Sequence, residues 1–231
     1  MFNLGTKTKL VIFDMAGTII NEKGIIYKSI DNTLKKIGIE TYDKHLWPGR
    51  DKKEILHEQI KMHYSKQSKN TDKKIINNLV DDAEEYLLDN LFDEYFNGNN
   101  IQLFPNTIPL FNDLRMNNIK IGLNTGYPKC LQEKIIDGLK LHNHIDVYTS
   151  SSEFKHGRPY PYMIYDLMEK SGVSNFDEVI KVGDTKNDIL EGINAGCGKS
   201  IGVLTGASKK EELQKFTKYI VEDISDVSRF I

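Results

Sequence analysis

Leu10-Val11-Ile12-Phe13 runs without a polar break into Asp14. An apolar run this short and unbroken suits a strand buried on both faces, as in a parallel sheet. Ile119 to Leu123, Val179 to Val182 and Ile201 to Leu204 share that character. A shorter candidate lies at Ile145 to Tyr148, and Tyr219 to Val221 adds an edge strand. Between them fall helical patterns at Ile108 to Met116, Leu131 to Leu139, Pro161 to Ser171 and Asn187 to Ala195. Strand alternating with helix predicts an α/β fold built on a doubly wound, Rossmann-like parallel sheet.

Ile25 to Phe96 breaks this rhythm. Ile30, Leu34 and Ile37 stand at helical spacing, as do Ile75, Leu79 and Ala83, and Leu87, Leu91 and Tyr95 extend a similar stripe. The expected organisation is a core of residues 1–20 and 100–231 with a helical insert over 21–99. Hinges are expected at Asn21 to Gly24 and Asn97 to Asn100, where Gly and Asn concentrate. A chain of 231 residues, 39% hydrophobic and 28% charged, buries such a core without help from disulfides. Its formal net charge of -2 gives no long-range pull toward nucleic acid or an anionic membrane. Cys130 and Cys197 stand far apart and read as free thiols in a reducing compartment. Met1 to Lys9 lacks the pattern of a signal peptide, and no apolar run is long enough to span a bilayer. A cytoplasmic location without membrane contact is expected.

In open parallel sheets ligands bind beyond the carboxyl ends of the strands. After the successive candidate strands come Asp14-Met15-Ala16-Gly17-Thr18, Asn124-Thr125-Gly126-Tyr127, Gly157-Arg158-Pro159 and Gly183-Asp184-Thr185-Lys186-Asn187-Asp188. Carboxylates, a hydroxyl and a guanidinium on one rim suit phosphoryl transfer. Asp14 can attack phosphorus as a nucleophile and split one hard step into two. Mg²⁺ takes one or two protein carboxylates plus water and substrate oxygens. Asp14, Asp184 and the Ala16 carbonyl are the expected protein oxygens, with Asp188 placed to orient a bound water. Thr125 and Arg158 can hydrogen-bond phosphoryl oxygens, and Gly17, Thr18 and Gly126 are further candidates for substrate contact. Any one of these residues alone would read as an ordinary cap or turn; their common placement at strand ends argues otherwise.

This set resembles the haloacid-dehalogenase superfamily over nearly the whole chain, including an insert after the first motif. The finer resemblance is to phosphonoacetaldehyde hydrolases (phosphonatases) and their phosphonatase-like relatives. It rests on Asp14 to Thr18, Gly157-Arg158-Pro159-Tyr160-Pro161, and Ile180-Lys181-Val182-Gly183-Asp184-Thr185. Gly202 to Ala207 with Glu212-Leu213 is more similar to the phosphonatase-like relatives. The resemblance implies a Mg²⁺-dependent hydrolase of a small phosphorylated or phosphonate substrate; a homodimer stays open.

Phosphatases of this superfamily carry a second Asp two residues after the nucleophile, which protonates the leaving oxygen and later activates water. Here Ala16 stands there and does neither. Phosphonatases instead use an insert lysine that forms a Schiff base with the substrate aldehyde. That lysine lies three residues after a glycine, and Gly49-Arg50-Asp51-Lys52 matches the spacing, so the resemblance makes Lys52 the candidate. The family's methionine and histidine flanking that lysine are replaced by Pro48 and Ile55, with His57 nearby. Lys52 is expected near the start of a helix, whose positive end would lower its pKa. Set among Arg50, Lys53 and Lys61, it otherwise reads as part of a solvated face. Trp47, Tyr127 and His156 are weaker candidates for the cleft. P–C cleavage of the phosphonoacetaldehyde type is the most specific expectation. The alternative is a phosphatase acting on a small ester or acyl phosphate. A non-catalytic binding module should have lost Asp14, Arg158 or Asp184, and all are present.

Overall fold

A computed structural model of the protein describes residues 8–67, 72–98 and 100–231. Most of the leader reading at Met1 to Lys9, and Asn99 of the second hinge, lie outside these residues. Strands β1 (Leu10–Asp14), β4 (Lys120–Thr125), β5 (Val147–Ser150), β6 (Val179–Gly183), β7 (Lys199–Val203) and β8 (Ile220–Val221) form a parallel sheet in the order β5-β4-β1-β6-β7-β8. The third expected strand is displaced by two residues toward Ser150, because Asp146 accepts a hydrogen bond from the Ile121 N–H and so stands at the strand's entry.

Helices α4 (Thr107–Met116), α5 (Lys129–Gly138), α6 (Tyr162–Ser171) and α7 (Lys186–Ala195) connect the strands, and a short α8 (Lys210–Leu213) precedes β8. The unbroken apolar runs are explained by burial on both faces: Leu10, Val11, Ile12 and Phe13 are all fully buried. Val11 and Phe13 face a cluster with Phe111 and Leu131, whereas Leu10 and Ile12 face Ile164 and Leu167. Register places Asp14 beside Asn124 and Phe13 beside Val182, so the ends of β1, β4 and β6 open on one rim. The chain winds to one side of β1 through β4 and to the other through β6, which makes this rim the switch point of the sheet.

Between β1 and α4 the chain forms α1 (Ile25–Lys36), α2 (Lys52–Lys66) and α3 (Lys73–Phe92), the last prolonged by a π-helical turn over Asp93–Asn97. Both crossings contain a short strand absent from the sequence reading. β2 (Ile20–Asn21) and β3 (Gln102–Leu103) pair antiparallel, Ile20 against Leu103 and Asn21 against Gln102. Two residues per strand are too few for period-two alternation to show. Among the described residues no helix is long and apolar enough to cross a membrane, and Cys130 and Cys197 are free.

The Phe13 and Phe111 rings meet at 5.2 Å between centroids, joining β1 to α4 directly beneath the rim. Phe111→Ala should cost about 3–5 kcal/mol in urea unfolding, because it leaves a cavity against the buried Phe13 ring.

Candidate active site

Arg158 is the centre of the rim. Its guanidinium, 2% exposed, donates to Asp14 Oδ1 at 2.7 Å and to Glu191 Oε2 at 3.0 Å, and also to Asn124 Oδ1. It lies 3.3 Å from Asp188 Oδ1. Asn124, from β4, returns its amide to both Glu191 oxygens at 3.0 Å. Lys181, wholly buried in β6, donates to Asn124 Oδ1 and Asp188 Oδ1 at 2.9 Å and pairs with Glu191 at 3.5 Å.

Asp14, Asp184 and Asp188 each bring a carboxylate oxygen to within 4.8 Å of the others. Burial and the Asp188 charge raise the Asp14 pKa against the opposing pull of Arg158 and Lys181. Asp184 is pushed well above the ordinary carboxylate range by burial and then by the Asp14 and Asp188 charges. Burial also acts upward on Asp188, but Arg158 and Lys181 overcome it and leave its pKa lowered. Asp14, Asp184, Asp188 and Glu191 outnumber the cations Arg158, Lys181 and Lys52, a surplus of negative charge set in oxygen donors. That donor set fits Mg²⁺, which prefers oxygen ligands.

The other expected residues divide. Asp188 closes the first turn of α7 with Thr185, and its oxygens are engaged by Lys181, Arg158 and Thr185, so it supports the pair Asp14–Asp184 from behind. The Thr18 hydroxyl, expected to meet substrate, donates to Asp184 Oδ1 at 3.3 Å. Gly17 has φ +84°, and a Cβ there would sit 2.6 Å from Asp184 Oδ2, so only glycine lets the turn after β1 close on that carboxylate. Ala16 lines a cavity of about 240 Å³ together with Gly17, Glu22, Tyr27 and Asp184. Thr125 is buried, its Oγ1 accepting the Tyr127 N–H at 3.2 Å. Gly126 lies against the Arg50 carbonyl and Lys52.

Lys52 is the first residue of α2 and is 6% exposed, so it does not belong to the solvated face that its charged neighbours suggested. Its Nζ donates to the Arg50 carbonyl at 2.7 Å and sits 5.5 Å from the centre of the Tyr127 ring. Its pKa is lowered, as expected, but the leading cause is burial, which outweighs the opposing charges of Asp14 and Asp51. Tyr127 is buried and bonded to Tyr95, hydroxyl to hydroxyl at 2.9 Å, while Trp47 is packed in the core. His156 stacks on Tyr160 at 4.9 Å, outside this cluster.

Residues 8–196 match the family described as haloacid dehalogenase-like hydrolase. The chain belongs to that family. It is 31% identical over 228 residues to a bifunctional phosphonoacetaldehyde hydrolase/aminoethylphosphonate transaminase of Clostridioides difficile, covering 93% of this chain and 35% of the relative. A phosphonoacetaldehyde hydrolase of Parabacteroides distasonis is 40% identical over 97 residues, 42% of this chain and 36% of the relative. The matches thus span little more than a third of these relatives' own lengths. Among solved structures, a phosphonoacetaldehyde hydrolase-like protein from Oleispira antarctica superposes with a TM-score of 0.78 at 20% identity, over 98% of this chain and 92% of the other. A β-phosphoglucomutase from Clostridium difficile gives 0.76 at 21%, over 95% and 93%. These two likenesses bear on the fold alone.

Glu191 went unread in the sequence, and Asn124 was read only as part of the run Asn124-Thr125-Gly126-Tyr127, without a role. Lys181 did carry a signal, a lone charge inside the apolar run Val179 to Val182. Glu191 follows Asp188 by one helical turn, a spacing that gains meaning only once Asp188 is known to face the rim.

If Asp184 holds Mg²⁺, the ion should raise the melting midpoint, adding about 2.7 kcal/mol of stability at a hundredfold excess over Kd. Asp184→Asn should melt at or above the parent without Mg²⁺, since it relieves repulsion with Asp14, and should not respond to the ion. An equal Mg²⁺ response in both proteins would place the ion elsewhere.

Proposed function

We propose that the protein is a Mg²⁺-dependent hydrolase that cleaves the P–C bond of a small phosphonate aldehyde of the phosphonoacetaldehyde type. The observation that carries this reading is Lys52: a buried amine within reach of the Asp14 charge, with its pKa lowered and a backbone carbonyl as its hydrogen-bond acceptor. The names of the matched phosphonoacetaldehyde hydrolases support the same substrate class. Residues 21–99 act as a cap that closes over a core of residues 1–20 and 100–231 and excludes water. The free thiols at Cys130 and Cys197 fit a cytoplasmic setting.

The reaction begins with neutral Lys52 adding to the aldehyde carbon; with one proton taken from solvent, the carbonyl oxygen leaves as water and an iminium remains. Asp14 then attacks phosphorus, and the P–C bonding pair moves into the iminium. The products are an enamine on Lys52 and an acyl-phosphate on Asp14. Water attacks that phosphorus, releasing orthophosphate and restoring the carboxylate. The enamine takes a proton at carbon, and water hydrolyses the resulting imine to free acetaldehyde and Lys52. Arg158 and Thr125 hold the phosphonyl oxygens through this sequence. Mg²⁺, held by Asp14, Asp184 and the Ala16 carbonyl, would offset the repulsion between the nucleophile and those oxygens. With the electron pair leaving into an iminium, Ala16 is no handicap.

A second reading has one observation in its favour. Pro48 and Ile55 stand where the phosphonatase pattern has methionine and histidine, and a phosphatase acting on an acyl phosphate also tolerates the missing acid at Ala16.

Phosphonoacetaldehyde with borohydride should leave a reduced adduct at Lys52 by peptide mapping. Lys52→Arg should lose P–C cleavage by several orders of magnitude while any acetyl phosphate hydrolysis survives within about tenfold, or ~1.4 kcal/mol of barrier. Full P–C activity in Lys52→Arg without an adduct would sink the mechanism. Acetyl phosphate turnover without P–C cleavage in the parent would move the assignment to the phosphatase.

The lowered Lys52 pKa sets a pH dependence as well. The reactive neutral amine appears as pH rises through the folded-state pKa, so the trapping rate should reach half its maximum below the ordinary lysine value of 10.5. A midpoint at or above that value would contradict the burial argument.

A further inference from the structure

The loop that precedes Lys52 is held from outside the insert. The Lys52 N–H donates to the Gly126 carbonyl at 3.2 Å, Asn187 Nδ2 to the Pro48 carbonyl at 2.7 Å, and the Gly157 N–H to Glu54 Oε1 at 3.2 Å. Two glycines give the loop room. A Cβ on Gly126 would lie 2.3 Å from the Arg50 carbonyl oxygen and 3.0 Å from Lys52 Nζ; one on Gly157 would lie 2.9 Å from Asp51 Cβ. At the middle of this seat the Ser151 hydroxyl, just past β5, donates to Asp51 Oδ2. Ser151 is 2% and Asp51 8% exposed. Asp51 Oδ1 meanwhile accepts the Glu54 N–H at 2.9 Å and so caps α2, whose first residue is Lys52. One carboxylate therefore grips the core with one oxygen and starts the helix of the amine with the other.

We infer that Ser151 is a positioning residue for the chemistry at Lys52, coupling the seating of the insert loop on the core to the aim of the amine. The inference rests on the Lys52 reading above and adds a residue that neither the motifs nor the relatives' names assign. Without the hydroxyl, Asp51 Oδ2 faces a buried gap, and a carboxylate left without a donor draws the loop toward water. The amine moves with the loop, and a small displacement from attack geometry is costly in rate. Asp14 ends β1 and Asp184 directly follows β6, both outside this loop, so the carboxylates of the metal site keep their places.

The test is the rate of borohydride-trapped adduct formation with phosphonoacetaldehyde, followed by intact mass, in the parent, Ser151→Ala and Asp51→Ser. Serine at 51 still caps a helix but is too short to reach Ser151, so the second variant breaks the contact without opening the core. Trapping should slow by about 10- to 100-fold in each, the scale of one hydrogen bond to a charged group. The Mg²⁺-induced rise in melting midpoint should persist, whereas a merely structural role would weaken both readouts together. Parental trapping rates in either folded variant would overturn the inference, and if Ser151→Ala does not fold, Asp51→Ser decides alone. A parent that forms no adduct removes the Lys52 reading itself, and this inference with it.

Discussion

The Arg158 guanidinium draws together Asp14 from β1, Asn124 from β4 and Glu191 from α7, three elements that meet only when the sheet is assembled. Burying an arginine with three carboxylates is a poor way to gain stability, since desolvation offsets much of the attraction. Its effect here is geometric. With Nε held by Glu191 and one terminal nitrogen by Asn124, the other is left facing the nucleophile, and the fork has no second orientation that satisfies all its donors. Lys181 completes the arrangement from beneath by holding Asn124 and Asp188 at once. Asp14, Asp188 and Arg158 thus share one framework.

That framework is incomplete by charge. Asp14 and Asp184 repel each other across a space that Gly17 keeps narrow; the Asp14 pKa is raised, and that of Asp184 is pushed well above the ordinary carboxylate range. A divalent cation between the two carboxylates would offset that repulsion and turn it into affinity for the ion. Lys52 lies outside this framework. Its amine is shaped by burial in the closed seam between insert and core, and a shift of that seam would alter its reactivity while leaving the carboxylates as they are.

Most of the sheet was legible because burial on both faces leaves an unbroken apolar run, and the rim was legible because each run ends in a polar residue. β5 was misplaced by two residues, since Ile145 belongs to the turn that Asp146 anchors. Among the site residues, Asp14 ends β1 and Asp184 directly follows β6, whereas Arg158 stands eight residues past β5 and was legible only in the run Gly157-Arg158-Pro159. Glu191, Asn124 and Ser151 act through contacts with residues more than thirty positions away, and no local pattern encodes such a partner. The helical positive end was the wrong emphasis for Lys52, whose burial depends on Gly126, Tyr127 and the seated loop.

The β2–β3 pair fixes where the chain departs from the sheet and where it returns. Backbone pairing of Ile20 with Leu103 and Asn21 with Gln102 brings these points to one interstrand spacing, about 4.8 Å. Eighty residues can intervene without stretching or tilting the strands on either side, because the two ends of the excursion are already joined. To the sheet, the excursion is a loop of fixed mouth and free content. Helices of another length or number could be grafted there while Asp14 beneath kept its register in the sheet.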